Sequence, residues 1–261
     1  MTVELHAKVD GPTGAPVLVL GSSLGTTGAM WEPQLAALTE TFRVVRYDHR
    51  GHGESPVPPG PYRVAELAAD VLALADRLGV TRFSYAGLSL GGMVGMELAA
   101  QAPDRVDRLA LLCTSALLGP PEGWTARADT VRQHGTAAVT DAVVSRWFRP
   151  DFAAANPELL ARYQDMLGST PPEGYAGCCL AIRDMDLRDR LGAVRAPTLV
   201  LAGADDPATP PDHGRAIVEG IGGATLAIIE RAAHLANVEQ PAEVTRLLVT
   251  HLAGPDHRDQ G

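Results

Sequence analysis

Ser89 stands between Gly87 and Gly91 in the stretch YAGLSLGGM (85–93), directly behind the strand-like run RFSYAG (82–87). Glycines two before and two after a serine suit a sharp strand-to-helix turn, because the neighbours of a strained residue cannot carry bulk. Such a turn lifts the serine hydroxyl to the end of the strand. It also aims the Leu90 backbone N–H at the same point, reinforced by the positive end of the helix that follows. A serine hydroxyl is a weak nucleophile at neutral pH and needs a base beside it. Of the eight histidines, His234, in ERAAHLANVEQP, follows the strand-like TLAIIE (225–230) and falls at the same kind of strand end. His6 lies in an edge strand, His134 and His251 in or at helices, and His257 in the tail. His49 and His52, flanking a glycine turn, are the closer rivals. A carboxylate must then fix the imidazole tautomer. LAGADDPATPP offers Asp205 and Asp206, either of which could instead cap the helix expected near Pro210. The chemistry this set can perform is acyl transfer through a covalent serine.

Alternating β and α segments place these residues. Strand signals fall at 4–11, 15–21, 42–48, 82–87, 106–115, 196–203 and 225–230. Helical spacing marks 30–40, 63–79, the segment after Gly91, about 211 onward and 241–252. Runs such as APVLVLG carry aliphatic residues on both faces, as buried parallel strands do. From 118 to 190 no strand-type run occurs, and WTARADTVRQHG, AAVTDAVVSRWF, PELLARYQDML and GYAGCCLAIRDM all read as helical. The expected architecture is α/β: a mostly parallel central sheet flanked by helices, with core segments 1–117 and 191–261 and a helical cap, 118–190, inserted between them. Ligands in such sheets bind beyond the carboxyl ends of the strands. The polar tail AGPDHRDQG is expected to fray.

Composition narrows the function classes. A 261-residue chain with 46% hydrophobic and 20% charged residues is ordinary for a globular protein, and its net charge of −9 comes without a Lys/Arg cluster. That disfavours nucleic acid as a partner. No apolar run reaches 18 residues and the first residues lack a secretion-signal pattern, so neither a membrane nor export is expected. Cys113, Cys178 and Cys179 form no metal-ligand spacing and read as reduced, buried thiols of a cytoplasmic chain.

GSSLGTTGAMWEPQ, YDHRGHGESPVPPGPY, GLSLGGMVGMELAAQAPDRV, SRWFRPDF and AAHLANVEQP together resemble the α/β-hydrolase superfamily over residues 15–253. Their local wording is similar to the 3-oxoadipate enol-lactonases of aromatic-compound degradation. The resemblance implies a cytoplasmic serine hydrolase, without metal or organic cofactor, that opens the enol-lactone of 3-oxoadipate to 3-oxoadipate. The catalytic residues it implies are Ser89, Asp206 and His234. Asp206 is favoured because the G-x-x-D-x-x-x-P spacing of related loops fits it, with Asp205 the alternative. Aligning GSSLG with the usual His-Gly-x turn makes the N–H of Ser23 an oxyanion donor beside Leu90, with Leu24 one register away. Where relatives carry SNSLGT this chain has Gly21-Ser22-Ser23, which keeps small residues but removes an amide. Asp48 and Arg50, in the Asp-x-Arg-Gly-x-Gly-x-Ser turn, read as structural. The implied substrate is a small anionic lactone, whose carboxylate calls for an arginine in an apolar pocket. Arg127, Arg132, Arg146, Arg149 and Arg183 are available, and Arg146 with Trp147 are the expected contacts. A carboxylesterase, a C–C bond hydrolase, a cofactor-free perhydrolase and a non-catalytic binding protein are the rival readings. The oligomeric state is not legible.

Overall fold

Seven strands order as β1-β3-β2-β4-β5-β6-β7 in one sheet. They are β1 (Ala7–Asp10), β2 (Val17–Gly21), β3 (Arg43–Tyr47), β4 (Phe83–Leu88), β5 (Val106–Leu112), β6 (Thr198–Gly203) and β7 (Thr225–Ile229). β1 pairs antiparallel with β3, and every other pairing is parallel. The computed structural model describes residues 1–254; most of the tail expected to fray lies outside them. The central strands VLVLG, FSYAGL and TLVLAG are almost wholly buried, as sheet members covered on both faces must be. β1 and β7, at the two edges, are less buried.

Helices α1 (Glu32–Leu38), α2 (Val64–Arg77) and α3 (Leu90–Gln101) precede β5. Helices α9 (Pro211–Gly220), α10 (Ala236–Glu239) and α11 (Pro241–Ala253) follow β6. They flank the sheet in two groups: α1 packs with α11, while α2 packs with α3, which continues through the turn 188–193 to α9. Helix α3 is apolar nearly all round (LGGMVGMELA, every residue buried) because it is covered by the sheet beneath and by α2 beside it.

Between β5 and β6 the chain makes a wholly helical excursion: α4 (Pro121–His134), α5 (Thr140–Val144), α6 (Pro150–Ala155), α7 (Pro157–Gly168) and α8 (Pro172–Asp184). Two details differ from the sequence reading. The stretch 137–148 is not one helix: Thr136–Val139 is a 3₁₀ turn and α5 ends at Val144. The next residues leave helical spacing so that Trp147 and Phe148 can be buried edge-on against Tyr163, at 6.1 and 5.2 Å between ring centroids. The unexpected α6 starts on Pro150, suited to a first helical position, and ends at Ala155, capped by Asn156 before Pro157. Among the described residues no helix is long and apolar enough to cross a membrane.

Candidate active site

The turns after β2, β3, β4, β6 and β7 all open at the carboxyl edge of the sheet, and four of them carry the residues singled out by type. Ser89 leaves β4 with φ +57°, ψ −115°, a conformation in which a non-glycine residue is strained. Its surroundings hold it there. The Ser89 N–H donates to Leu112 O at 2.9 Å, and Thr114 Oγ1 donates to Ser89 O at 2.7 Å. The glycines are a steric necessity. A Cβ on Gly87 would sit 2.2 Å from Gly91 O, and one on Gly91 would sit 2.3 Å from Gly21 O. The backbone of the turn after β2 therefore lies directly against the start of α3.

His234 leaves β7 in the loop that leads into α10, and its Nδ1 donates to Asp206 Oδ2 at 2.8 Å. Asp206 is buried and receives three more hydrogen bonds: Ala208 N–H at 2.8 Å, Thr209 N–H at 3.1 Å and the Thr209 hydroxyl at 2.7 Å. Burial pushes its carboxyl upward, but the His234 charge and these hydrogen bonds outweigh that and bring it to about 2. Asp205 points elsewhere, half exposed and 3.8 Å from Arg149. The structure thus separates two adjacent aspartates that the sequence left open. Thr209, three residues on, is a partner the sequence reading did not single out, although the D-x-x-T spacing was there to see.

Ser89 and His234 line one cavity of about 280 Å³, with Ser23, Leu24, Arg146 and Trp147 also in its wall. Among the described residues no hydrogen bond joins Ser89 Oγ to His234, so the serine hydroxyl and the imidazole Nε2 stay open to the cavity. Catalytic hydrogen bonds are commonly loose until substrate is bound.

The turn after β2 departs from the expectation that Ser23 supplies an oxyanion amide. Its N–H is already spent on Met30 Sδ at 3.2 Å. Gly25 N–H donates to His52 at 2.9 Å and Thr26 N–H to Ser23 O at 3.1 Å. Among the described residues that leaves the Leu24 N–H without an acceptor in this turn, and the Leu90 N–H without one at the first turn of α3. Adjacent amides in a tight turn point different ways, so a shift of one residue decides which is available. His49 and His52, the rival bases, lie beneath this turn rather than in the cavity wall, wholly buried.

The five candidate arginines of the helical excursion divide sharply. Arg132 pairs with Glu173 at 3.0 Å, Arg183 with Asp184 at 2.7 Å, and Arg149 with Asp151. Arg127 and Arg146 line the cavity and, among the described residues, have no acidic partner. Burial, and then the nearby Arg127 charge, push the Arg146 guanidinium below its ordinary range. Arg127 lies over the Trp124 ring, 4.5 Å from its centroid. Among the described residues the buried Tyr175 hydroxyl, also in the cavity wall, makes no hydrogen bond. The sequence named Arg127 among five candidates without singling it out, because ion pairing, which the one-dimensional text does not show, decides which arginine is free.

The imidazole loop is fastened to the cavity wall. The buried Glu239 accepts the N–H groups of Ala233, at 2.5 Å, and Arg149, at 3.0 Å, while Leu235 N–H donates to Trp147 O at 2.9 Å. Burial raises the Glu239 carboxyl above its usual range. No group of three or more His, Cys, Asp or Glu side chains suited to a metal ion occurs among the described residues.

Known proteins bear on this geometry. A family model described as alpha/beta hydrolase fold matches residues 16–241. The chain is 38% identical to 3-oxoadipate enol-lactonase 2 of Acinetobacter baylyi, over 92% of this chain and 89% of that protein. It is also 32% identical to a putative carbamate hydrolase RutD of Rhizobium rhizogenes, over 97% of each. The crystal structure of the enol-lactonase from Burkholderia xenovorans superposes with a TM-score of 0.95 at 43% identity, covering 97% of both chains. Sheet order, the strained serine turn and these likenesses agree, and the chain belongs to the α/β-hydrolase fold family.

Proposed function

We propose that this protein is a serine hydrolase that opens a small anionic enol lactone, the enol-lactone of 3-oxoadipate, to the open-chain dicarboxylate. The observation that carries the reading is the pair of arginines without acidic partners, Arg127 and Arg146, in the cavity that also holds Ser89 and His234. A guanidinium in an apolar wall needs an anion, and a substrate carboxylate supplies one. Enol-lactonase relatives at 38% and 35% identity support the same substrate class.

In this reading Ser89 Oγ attacks the lactone carbonyl as His234 Nε2 takes its proton, and Asp206 holds the ring and its developing charge. The Leu24 and Leu90 amides stabilise the tetrahedral oxyanion, each worth about 3–4 kcal/mol in comparable sites. The acyl carbon–ring oxygen bond breaks, His234 returns the proton, and the enol relaxes to a ketone. Water activated by His234 then cleaves the Ser89 ester. Ser89 Oγ recovers its proton from His234, and the acyl carbon leaves, with the oxygen of that water, as the second carboxylate.

The test is a spectrophotometric assay of freshly generated enol-lactone beside 4-nitrophenyl acetate, with Ser89→Ala as the inactive control. The lactone is expected to have the higher kcat/KM. Arg146→Ala and Arg127→Ala are expected to raise KM for the lactone at least about tenfold while leaving the neutral ester within about threefold. Equal effects on both substrates would remove the arginines from the carboxylate role. An ester kcat/KM at or above that of the lactone would leave only a general esterase. Carbamate hydrolysis is a second reading, supported by the RutD relatives, and an aryl carbamate in the same assay discriminates it.

A further inference from the structure

The motif YDHRGHGES contributes more than a turn. Two of its side chains, His49 and His52, are 1% and 0% exposed and meet the backbone on either side of Leu24. His49 Nε2 lies 2.9 Å from Ser22 O, so it must carry the proton and donate. That carbonyl accepts a second bond, from Gly91 N–H at 3.0 Å, one residue beyond the other free amide, Leu90. On the far side, Gly25 N–H donates to His52 Nε2 at 2.9 Å, which must therefore be the bare nitrogen, and His52 Nδ1 faces Arg50 O at 3.3 Å. The two imidazoles are thus held as opposite neutral tautomers. One serves a carbonyl and the other an amide, and their ring centroids are 6.1 Å apart. Burial drives both well below the usual histidine range, to about 3 for His49 and about 4 for His52, so both stay neutral at working pH. Asp48, from the same motif, anchors the next stretch by accepting Gly28 N–H at 2.9 Å.

We propose that His49 and His52 are positioning residues for the oxyanion hole: they clamp residues 22 and 25 so that the Leu24 amide is held toward the cavity in register with that of Leu90. The proposal rests on the serine-hydrolase reading and adds to it a pair of residues that touch no substrate. A side chain that only filled space at these positions would tolerate an apolar replacement of similar size. A clamp would not.

Two measurements test it. In the first, His52→Leu, His52→Gln, His49→Leu and His49→Gln are compared with wild type for kcat and KM on 4-nitrophenyl acetate. The same set is compared for affinity towards an aryl trifluoromethyl ketone, which forms a tetrahedral adduct on the serine. The Leu variants are expected to lose about 10²-fold in kcat, and as much in adduct affinity, with KM within about threefold. The Gln variants, which can place an acceptor or a donor where each imidazole nitrogen lies, are expected to recover most of the loss. Leu variants that keep adduct affinity and kcat while losing only thermal stability would overturn the clamp and leave the hydrolase reading intact. A wild type that forms no adduct at all would remove the hydrolase reading, and the clamp's purpose with it. In the second, long-range ¹H–¹⁵N spectra of the folded wild-type protein at pH 7 are expected to show His49 protonated on Nε2 and His52 on Nδ1. The same tautomer for both, or a protonated ring in either, would overturn the proposal even if no variant folds.

Discussion

At the level of single residues, the site depends on which of several neighbouring groups is left free. Leu24 illustrates it, because the N–H groups of residues 23, 25 and 26 are each committed inside the protein. Replacing the Leu24 amide by a backbone ester removes that donor and weakens the Ser23 carbonyl, on which Thr26 has two bonds. It is expected to lower kcat by about 10²–10³, read by steady-state kinetics on 4-nitrophenyl acetate. Asp206 gives a second expectation. Its carboxyl is depressed from the ordinary 3.8 to about 2 in the folded chain, so the stability it contributes is present above the unfolded value. That stability is lost as pH falls from about 4 through about 2, on the order of 2 kcal/mol in total. Asp206→Asn removes this titration. Urea unfolding between pH 4 and 2 is therefore expected to show a shallower loss of stability in the variant than in wild type, alongside a kcat reduced by about 10⁴. An unchanged slope would contradict the assigned ionisation.

Among the elements, the sheet was readable because aliphatic runs bounded by glycines have few other meanings. VLVLG, FSYAGL and TLVLAG are strands, and the serine turn falls where glycine spacing located it. The helical excursion was readable only as a block. Proline positions and aromatic burial, not apolar periodicity, break 137–155 into a 3₁₀ turn and two short helices. The oxyanion register and the free arginines were illegible for a related reason: each depends on a partner far away in sequence. The glycines test the difference between local strain and crowding. Gly91→Ala would drive a methyl against the Gly21 carbonyl and is expected to cost about 3 kcal/mol, on the order of 10 °C in Tm. Gly79, unlike Gly91, has a positive φ, +68°, and open space where a Cβ would stand. Gly79→Ala is expected to cost only about 1 kcal/mol, from backbone strain alone. Calorimetry on the two variants ranks the effects, and equal losses would refute the steric account of the elbow.

For the molecule as a whole, the net charge of −9 sets the chain against an anionic ligand at long range, while in the proposed function Arg127 and Arg146 attract it at short range. Salt shortens the reach of the first more than the second, because the pocket groups are partly buried. The kcat/KM for an anionic lactone is therefore expected to rise as ionic strength increases from about 10 mM to about 150 mM, and that for 4-nitrophenyl acetate to stay flat. A falling lactone value over that range would mean that the local arginines already govern the encounter.

The fastening of the imidazole loop to residues 147–149 carries an evolutionary consequence. Because Trp147 and His234 share a backbone scaffold through Leu235 and Glu239, a descendant that widens its binding chamber by displacing the tryptophan segment drags His234, the proton acceptor of the proposed function, along. Acceptance of bulkier molecules and speed of turnover are mechanically tied on that side. Trp124 and Tyr175, also in the wall, share no such tether with His234 among the described residues, and under the proposed function it is there that diversification of diet comes without loss of pace.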